Sequence, residues 1–193
     1  MTHIEKHPLQ PFLPAEATIL MLGSFPPPHA RWSMEFFYPN WINDMWRIVG
    51  LLFFDDKHHF ELAGEKRFHQ EKIAAFCSTN GLALYDAASA VYRLQDNASD
   101  KFLEIVTPTD LRTLLSAIPR CAHIVTTGQK ASEIVSAQFD CPIPAVGEAV
   151  TLHFEGRALR FWRMPSTSRA YPLALEKKAA FYRKLFAESG LLR

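Results

Sequence analysis

The chain has 193 residues, of which 48% are hydrophobic, and its formal net charge is +1. This length and apolar content predict a single domain over residues 1–193, with residues 1–16 as an N-terminal extension. The near-neutral charge excludes a strongly basic nucleic-acid-binding domain but leaves room for a local basic face. No apolar stretch approaches the roughly 18 residues of a membrane span, and the polar, proline-punctuated N-terminus is unlike a signal peptide. We therefore expect a cytoplasmic protein.

The three cysteines are odd in number and isolated from one another, without a CxxC pair: Cys77, Cys121 and Cys141. This spacing argues against a disulfide framework and against a zinc or iron–sulfur site. We expect three buried thiols, because free cysteine behaves as a small hydrophobic residue.

The first predicted strand covers residues 18–22 and ends at Gly23, where a long loop begins. The loop contains three consecutive prolines at 26–28 and the aromatic run Phe36-Phe37-Tyr38. Asn40 is predicted to cap a helix whose apolar positions follow the spacing i, i+3, i+4, i+7. These positions are Ile42, Met45, Trp46 and Val49.

The middle of the chain alternates between short apolar runs and helical patterns. The predictions in order are a loop at 55–64, a helix at 65–79, a strand at 82–85 closed by Asp86, and an irregular polar segment at 87–106. A helix then begins at Thr107, Pro108 and Asp110, with Thr107 as its cap, Pro108 at N1 and an apolar stripe at Leu111, Leu114, Leu115 and Ile118.

The last third of the chain predicts a strand at 122–126, a helix at 128–139, a hairpin with arms at 150–154 and 157–162, and a final helix from Pro172 to Gly190. The alternation predicts a mostly parallel sheet with helices on both faces. Right-handed crossovers place Gly23, Asp86, Gly128 and Met164 at the carboxyl edge of this sheet, where such folds bind ligands.

The loop after the first strand has features of a ligand site. Gly23 permits close approach of a ligand to the backbone, and the N–H groups of Ser24 and Phe25 are available to hydrogen-bond a carbonyl oxygen. Phe36, Phe37 and Tyr38 are candidates for stacking on a flat base. The alternatives are a proline-stiffened loop without a ligand and aromatic side chains that only fill the core.

Polar residues near the same edge add further candidates. Asn43, at N3 of the predicted helix, is suited either to orient a water or base edge or to cap the helix. Asp86 either faces the site or caps the next segment. The small hydroxyl side chains after the last strand suit DNA phosphates, with a simple turn as the alternative, and Arg169 follows them. These hydroxyl residues are Ser166, Thr167 and Ser168.

Six segments together resemble the uracil-DNA glycosylase superfamily, in order and spacing, over residues 17–186. They are GSFPP, FFYPNWINDMW, GLALYD, TDLRTLLSAIP, HIVTTGQKA and MPSTSRAY. The branch that they resemble most is the hypoxanthine-DNA glycosylase-like branch. The resemblance implies a three-layer α/β/α sandwich with a short, mainly parallel four-stranded sheet. It also implies that the protein acts as a monomer on damaged DNA, without a metal or organic cofactor.

The resemblance implies a monofunctional glycosylase that hydrolyses the N-glycosidic bond of uracil or hypoxanthine in base excision repair, after the base is flipped into a pocket. Asn43, three residues before Trp46, matches the asparagine that holds water, with Asn40 as the alternative. Phe37 or Phe36 matches the base-stacking aromatic residue. The motif MPSTSRAY matches the phosphate-gripping loop, with Pro165 opening it and Arg169 where a wedge enters the DNA stack.

The chain departs from the pattern of the superfamily at several positions. Phe25 stands where most branches carry Asp or Asn to position the attacking water, Pro27 replaces a usual glycine, and two residues are inserted before Asn43. Met164 replaces the histidine of the fast uracil-specific branch. These departures predict a slow enzyme or one with an unassigned substrate. The alternative is a catalytically degenerate fold that binds DNA or a nucleobase without cleavage.

Overall fold

The structure is a computed structural model that describes residues 3–95 and 100–192. Its strands are β1 (Ile4–Lys6), β2 (Ile19–Gly23), β3 (Leu82–Asp86), β4 (Ala88–Arg93), β5 (Leu103–Pro108), β6 (His123–Thr126), β7 (Glu148–Phe154) and β8 (Arg157–Arg163). Its α-helices are α1 (Met45–Phe54), α2 (Gln70–Thr79), α3 (Leu111–Ala117), α4 (Gln129–Phe139) and α5 (Leu175–Glu188).

The larger sheet has the strand order β3-β2-β6-β8-β7. The first four of these strands run parallel, and β7 pairs antiparallel with β8 through the predicted hairpin. The α/β class is confirmed, but the expectation of one four-stranded sheet is wrong. The first arm of the hairpin, β7, adds a fifth strand to this sheet. The chain also forms a second sheet.

The second sheet is antiparallel, with the order β1-β4-β5. Strands β4 and β5 occupy half of residues 87–106, so the prediction of an irregular segment there is wrong. In β5 only Leu103 is fully buried. Such a strand lacks the apolar run or alternation that predicts strands from sequence. Residues 96–99, which belong to the predicted segment, lie outside the described residues.

The N-terminal segment is attached to both sheets. Strand β1 pairs with β4, and Phe12 forms a backbone bridge with Leu84 of β3. The ring of Phe12 also meets the ring of Phe36 edge to face, at a centroid distance of 5.2 Å. The residues before the first predicted strand therefore pack on the domain.

The core surrounds the larger sheet. Every residue of β2 and β3 is buried. Successive side chains of a strand point to opposite faces, so both faces of these strands are covered. Helices α1 and α5 pack together, with the rings of Phe53 and Phe186 5.2 Å apart. Among the described residues, none of the helices has both the length and the apolar character that a bilayer crossing requires.

Helices α1, α2, α3 and α5 all begin later than the sequence predicts. Helix α1 begins at Met45 with Asp44 at its N-cap position, so the prediction that Asn40 caps it and Asn43 lies at N3 is wrong. Helix α2 begins at Gln70 because residues 61 and 68 form a backbone bridge ahead of it. Helix α3 is capped by the Asp110 side chain, which accepts from the Thr113 N–H, while Thr107 and Pro108 belong to β5.

Helices α4 and α5 are close to prediction. Helix α4 follows Gly128 and ends at Phe139. Helix α5 begins at Leu175, three residues after Pro172, and Gly190 lies beyond its end with a positive φ of 76°. The apolar stripe predicted for α3 is buried.

Candidate active site

A pocket of about 100 Å³ opens at the carboxyl ends of the parallel strands. This is several times the space that one water molecule needs. Register places Gly23 of β2 beside Asp86 of β3, and Leu22 beside Thr126 of β6. The predicted site residues that line the pocket are Gly23, Ser24, Phe25, Phe36, Phe37, Asn40, Asn43, Asp86, Ser166, Thr167 and Ser168.

Gly23 and Asp86 are in very close contact at the pocket. A Cβ atom placed on Gly23 would lie 2.3 Å from Oδ1 of Asp86, well inside van der Waals contact. The other carboxylate oxygen of Asp86 is 2.8 Å from Nε2 of His7. The absence of a side chain at Gly23 therefore allows the Asp86 carboxylate to lie against the strand end.

The backbone turns away from the sheet at Ser24 and Phe25. Within the described chain, the N–H groups of both residues have no protein acceptor. The Phe25 side chain is only 8% exposed and belongs to a small apolar cluster with residues of β4, β5 and α4. Its ring supports the wall of the pocket, while its backbone N–H is available to a ligand.

The aromatic run contributes both to the pocket and to the core. Phe36 and Phe37 are 8% and 4% exposed, so only a small part of each ring faces the pocket. The Trp46 indole N–H donates to the Phe37 carbonyl at 3.0 Å and fixes this segment to α1. The two interpretations of these rings, stacking surface and core, therefore apply together.

Tyr38, the last residue of the aromatic run, also lines the pocket. Its φ of 52° is left-handed, which is uncommon for a residue with a bulky side chain. Its hydroxyl lies 3.4 Å from Oγ1 of Thr127. Burial raises the pKa of Tyr38 well above its usual range, so the phenol is neutral.

Asn43 lies in the turn before α1. Its Oδ1 accepts the Met45 N–H at 2.9 Å, so the side-chain oxygen holds the helix start. Asn40 is similarly engaged, with its Oδ1 accepting the Ile42 N–H at 3.2 Å. What Asn43 can still offer a ligand is its amide NH₂ group, which donates hydrogen bonds.

The loop after β8 reaches the same pocket, and Asn43 forms a backbone bridge with Ser168. The hydroxyl of Ser166 accepts the Ser168 N–H, and that of Ser168 accepts the Ala170 N–H, both at 3.2 Å. Each hydroxyl can still donate its own proton. Thr167 is 2% exposed, so its side chain is not a surface group.

A buried ion pair fixes this loop. Nζ of Lys178, which is completely buried, lies 3.1 Å from Oδ2 of Asp44 and donates to the Ser168 carbonyl at 2.8 Å. Nε of Arg169 lies 3.1 Å from the other oxygen of Asp44. The Arg169 side chain is 47% exposed, but it does not line the pocket and its charge is partly offset by Asp44.

Asp100 is the main site residue that the sequence reasoning missed. It lies in a single 3₁₀ turn, Asp100–Phe102, before β5, and its Oδ1 accepts the Ser24 hydroxyl at 2.6 Å. His7 and Leu9 also reach the pocket region, from the N-terminal segment. Asp100 carries no local signal, because the polar sequence around it has neither the helical nor the strand periodicity that would place it at a site.

A wider groove of about 800 Å³ continues from the pocket. Basic side chains along it are Arg31, Lys101, Lys130 and Arg163. Pro165 lines this groove and not the pocket. The groove also contains Asp100 and Glu133, so its charge is mixed.

The described part of the chain offers little for metal or thiol chemistry. Residues 3–95 and 100–192 contain no group of three or more His, Cys, Asp or Glu side chains placed to hold a metal ion. Cys77 and Cys121 are buried as expected, and burial raises the pKa of the Cys121 thiol to about 11. Cys141 is only half-buried, so the expectation of burial is wrong for this residue.

No protein-family model matches the chain, and no curated protein matches it. Among solved structures, it is similar to the solution NMR structure of a protein from Methanosarcina acetivorans that is provisionally named a uracil DNA glycosylase. The TM-score is 0.63 at 21% identity, over 95% of this chain and 99% of that one. At this identity the likeness establishes the fold. The chain has a uracil-DNA-glycosylase-like α/β fold.

Proposed function

We propose that this protein is a DNA glycosylase that hydrolyses the N-glycosidic bond of a deaminated base, uracil or hypoxanthine, in base excision repair. The observation that carries the proposal is that the proline-rich turn, the aromatic run and the serine-bearing loop line one common pocket. The fold likeness to a protein provisionally named a uracil DNA glycosylase supports it. The branch that excises hypoxanthine is the form we favour.

In this proposal the damaged base leaves the DNA stack and enters the pocket. The exposed parts of Phe36 and Phe37 contact its face, and base–aromatic stacking contributes about 1–3 kcal/mol. The backbone N–H groups of Ser24 and Phe25 donate to the base oxygen on which negative charge develops as the bond breaks. The Asp86 carboxylate lies beside them in the pocket.

Asn43 and the serine loop hold the rest of the nucleotide. The amide NH₂ of Asn43 donates to the sugar or to the attacking water. The hydroxyls of Ser166 and Ser168 donate to phosphate oxygens, the type of contact that positions DNA without reading its sequence. Arg169 contacts a phosphate or enters the vacated stack from the rim, with Pro165 shaping the loop. The reaction needs no metal or organic cofactor.

The test is base release from oligonucleotides that carry uracil, hypoxanthine, xanthine or mismatched thymine, in single- and double-stranded form. We expect release from a uracil or hypoxanthine probe and a rate about 100- to 1,000-fold lower for Asn43→Ala, the typical cost of losing one transition-state donor. Gln10→Ala removes an exposed amide as the matched control. Equal rates for both variants would remove Asn43 from the mechanism.

The second candidate function is binding of DNA or a nucleobase without cleavage. The burial of the Phe25 side chain favours it, because this position offers no acid or amide to the pocket. The same oligonucleotides separate the two functions, since a binder retains the probe and releases no base.

A further inference from the structure

Asp100 lies at the junction between the pocket and the groove, because its side chain lines both cavities. The other residues shared by the two cavities are Asn40, Ile42, Ser166 and Ser168. Of this set, Asp100 has the only carboxylate. The Asp100 carboxylate is therefore within reach of a water molecule in either cavity.

Two other polar side chains of the pocket, Asp86 and Asn43, already have partners within the protein. Asp86 has one oxygen 2.8 Å from His7 and the other packed against the Gly23 backbone. Asn43 uses its side-chain oxygen to hold the first N–H of α1. An amide is also not a proton acceptor of useful strength at neutral pH.

Asp100 keeps one oxygen open. Its Oδ1 accepts the Ser24 hydroxyl, and within residues 3–95 and 100–192 its Oδ2 has no hydrogen-bond donor. Gly128 lies on that side of Oδ2, and a Cβ placed on Gly128 would be 3.7 Å away. Among the described residues, Gly128 places no side chain against Oδ2, which leaves room on that side for a small molecule such as water.

The surroundings of Asp100 favour a proton acceptor. Burial raises the pKa of its carboxyl, and the negative charge of Asp86 on β3 adds to this rise. The Ser24 hydrogen bond, Lys130 on α4 and Arg93 on β4 lower the pKa in part. A carboxylate whose pKa is moved towards neutral pH is a stronger general base.

We propose that Asp100 is the general base of the glycosylase, accepting a proton from the attacking water at Oδ2 while Ser24 holds Oδ1. This inference rests on the function proposed above. The water oxygen forms a bond to C1′ of the deoxyribose as the C1′–N bond breaks, and the bonding electron pair leaves with the base. The water proton moves to Asp100 and then to solvent, and a proton from solvent neutralises the released base.

The first test measures single-turnover release from duplexes with one uracil or one hypoxanthine. Asp100→Asn keeps the shape and the Ser24 contact, and Glu104→Gln makes the same chemical change at an exposed site on β5. We expect a loss of about 100- to 10,000-fold for Asp100→Asn with unchanged duplex affinity, and a rate within about twofold of wild type for Glu104→Gln.

The outcomes separate the two proposals. A wild-type rate for Asp100→Asn would overturn this inference and leave the glycosylase function standing. A wild-type protein that releases no base from any probe of the panel would overturn the function itself, and the inference with it.

The second test is the pH profile of the single-turnover rate. The rate rises as Asp100 loses its proton, so Ser24→Ala, which removes a contact that lowers the pKa, moves the rise to higher pH. Asp86→Asn removes a contact that raises the pKa and moves the rise to lower pH. A structural role would not give opposite shifts, and coincident profiles would overturn the inference even if Asp100→Asn failed to fold.

Discussion

The five-stranded sheet and the three-stranded sheet contribute to one pocket by different means. The large sheet ends there in fully buried strands, and the loop after its strand β8 is fixed by the buried pair of Asp44 and Lys178. The small sheet and its neighbours bring His7 and Asp100, which bind side chains at the ends of the large sheet. We infer that the large sheet supplies most of the stability at the site. The side chains from the small-sheet side, His7 and Asp100, determine where protons are held in the pocket.

The largest expected effect is on the large-sheet side. Asp44→Ala leaves the completely buried Lys178 ammonium without its carboxylate, and breaking a buried pair this way costs about 3–5 kcal/mol of unfolding free energy. Urea denaturation measures it. Glu148→Ala is the control, since its pair with Lys184 is 2.9 Å long but exposed and contributes about 0–1 kcal/mol. Similar losses for the two variants would contradict the comparison between the sheets.

Gly23→Ala tests the contact between the ends of β2 and β3. The new Cβ must displace the Asp86 carboxylate, and we expect a loss of about 1–3 kcal/mol from overpacking. Asp86→Ser removes the obstructing carboxylate, so adding Gly23→Ala to that variant should cost less than it does alone. Additive losses in this double-mutant cycle would show that the contact does not limit the position.

His7→Ala tests the link between the N-terminal segment and the pocket. It removes the hydrogen-bond partner of the buried Asp86, and we expect a loss of about 1–2 kcal/mol. His29→Ala removes a histidine at the same 2.8 Å from a carboxylate, but with a side chain that is 71% exposed, and should change stability little. Thermal unfolding of the two variants measures the difference. Equal unfolding midpoints for His7→Ala and His29→Ala would show that burial of the His7–Asp86 pair does not add to its contribution.

Glu5→Gln should have the smallest effect. Glu5 on β1 pairs with Arg93 on β4 at 3.0 Å. The Arg93 side chain is only 6% exposed, but that of Glu5 is 38% exposed and the amide oxygen of Gln can still accept from Arg93, so we expect a loss of about 0.2–1 kcal/mol. The difference from wild type should shrink in about 1 M salt, where exposed charges are screened. A loss as large as that of Asp44→Ala would show that the small sheet is as firmly attached as the large one.

The candidate site could be predicted where it depends on strand ends. Gly23, Asp86 and the loop at 164–171 follow apolar runs that predict strands, and parallel topology brings their ends together. Asn43 shows the limit of local patterns. The predicted cap at Asn40 placed Asn43 at N3 of the helix, but Asn43 closes a turn with Asn40 and bridges Ser168, and the helix begins two residues later.

The amino-acid sequence by itself determined the parallel strands, the hairpin and the edge at which the two loops emerge, because apolar runs, glycine stops and crossover handedness act over short stretches of chain. Only the tertiary structure decided that His7 meets Asp86 and that Asp100 meets Ser24, across 79 and 76 positions. Those contacts depend on the pairing of β1, β4 and β5. Strands β1 and β5 are mostly exposed and the buried residues of β4 are small, so none of the three carries a long apolar run. The carboxylate proposed as the base was therefore placed by long-range strand pairing.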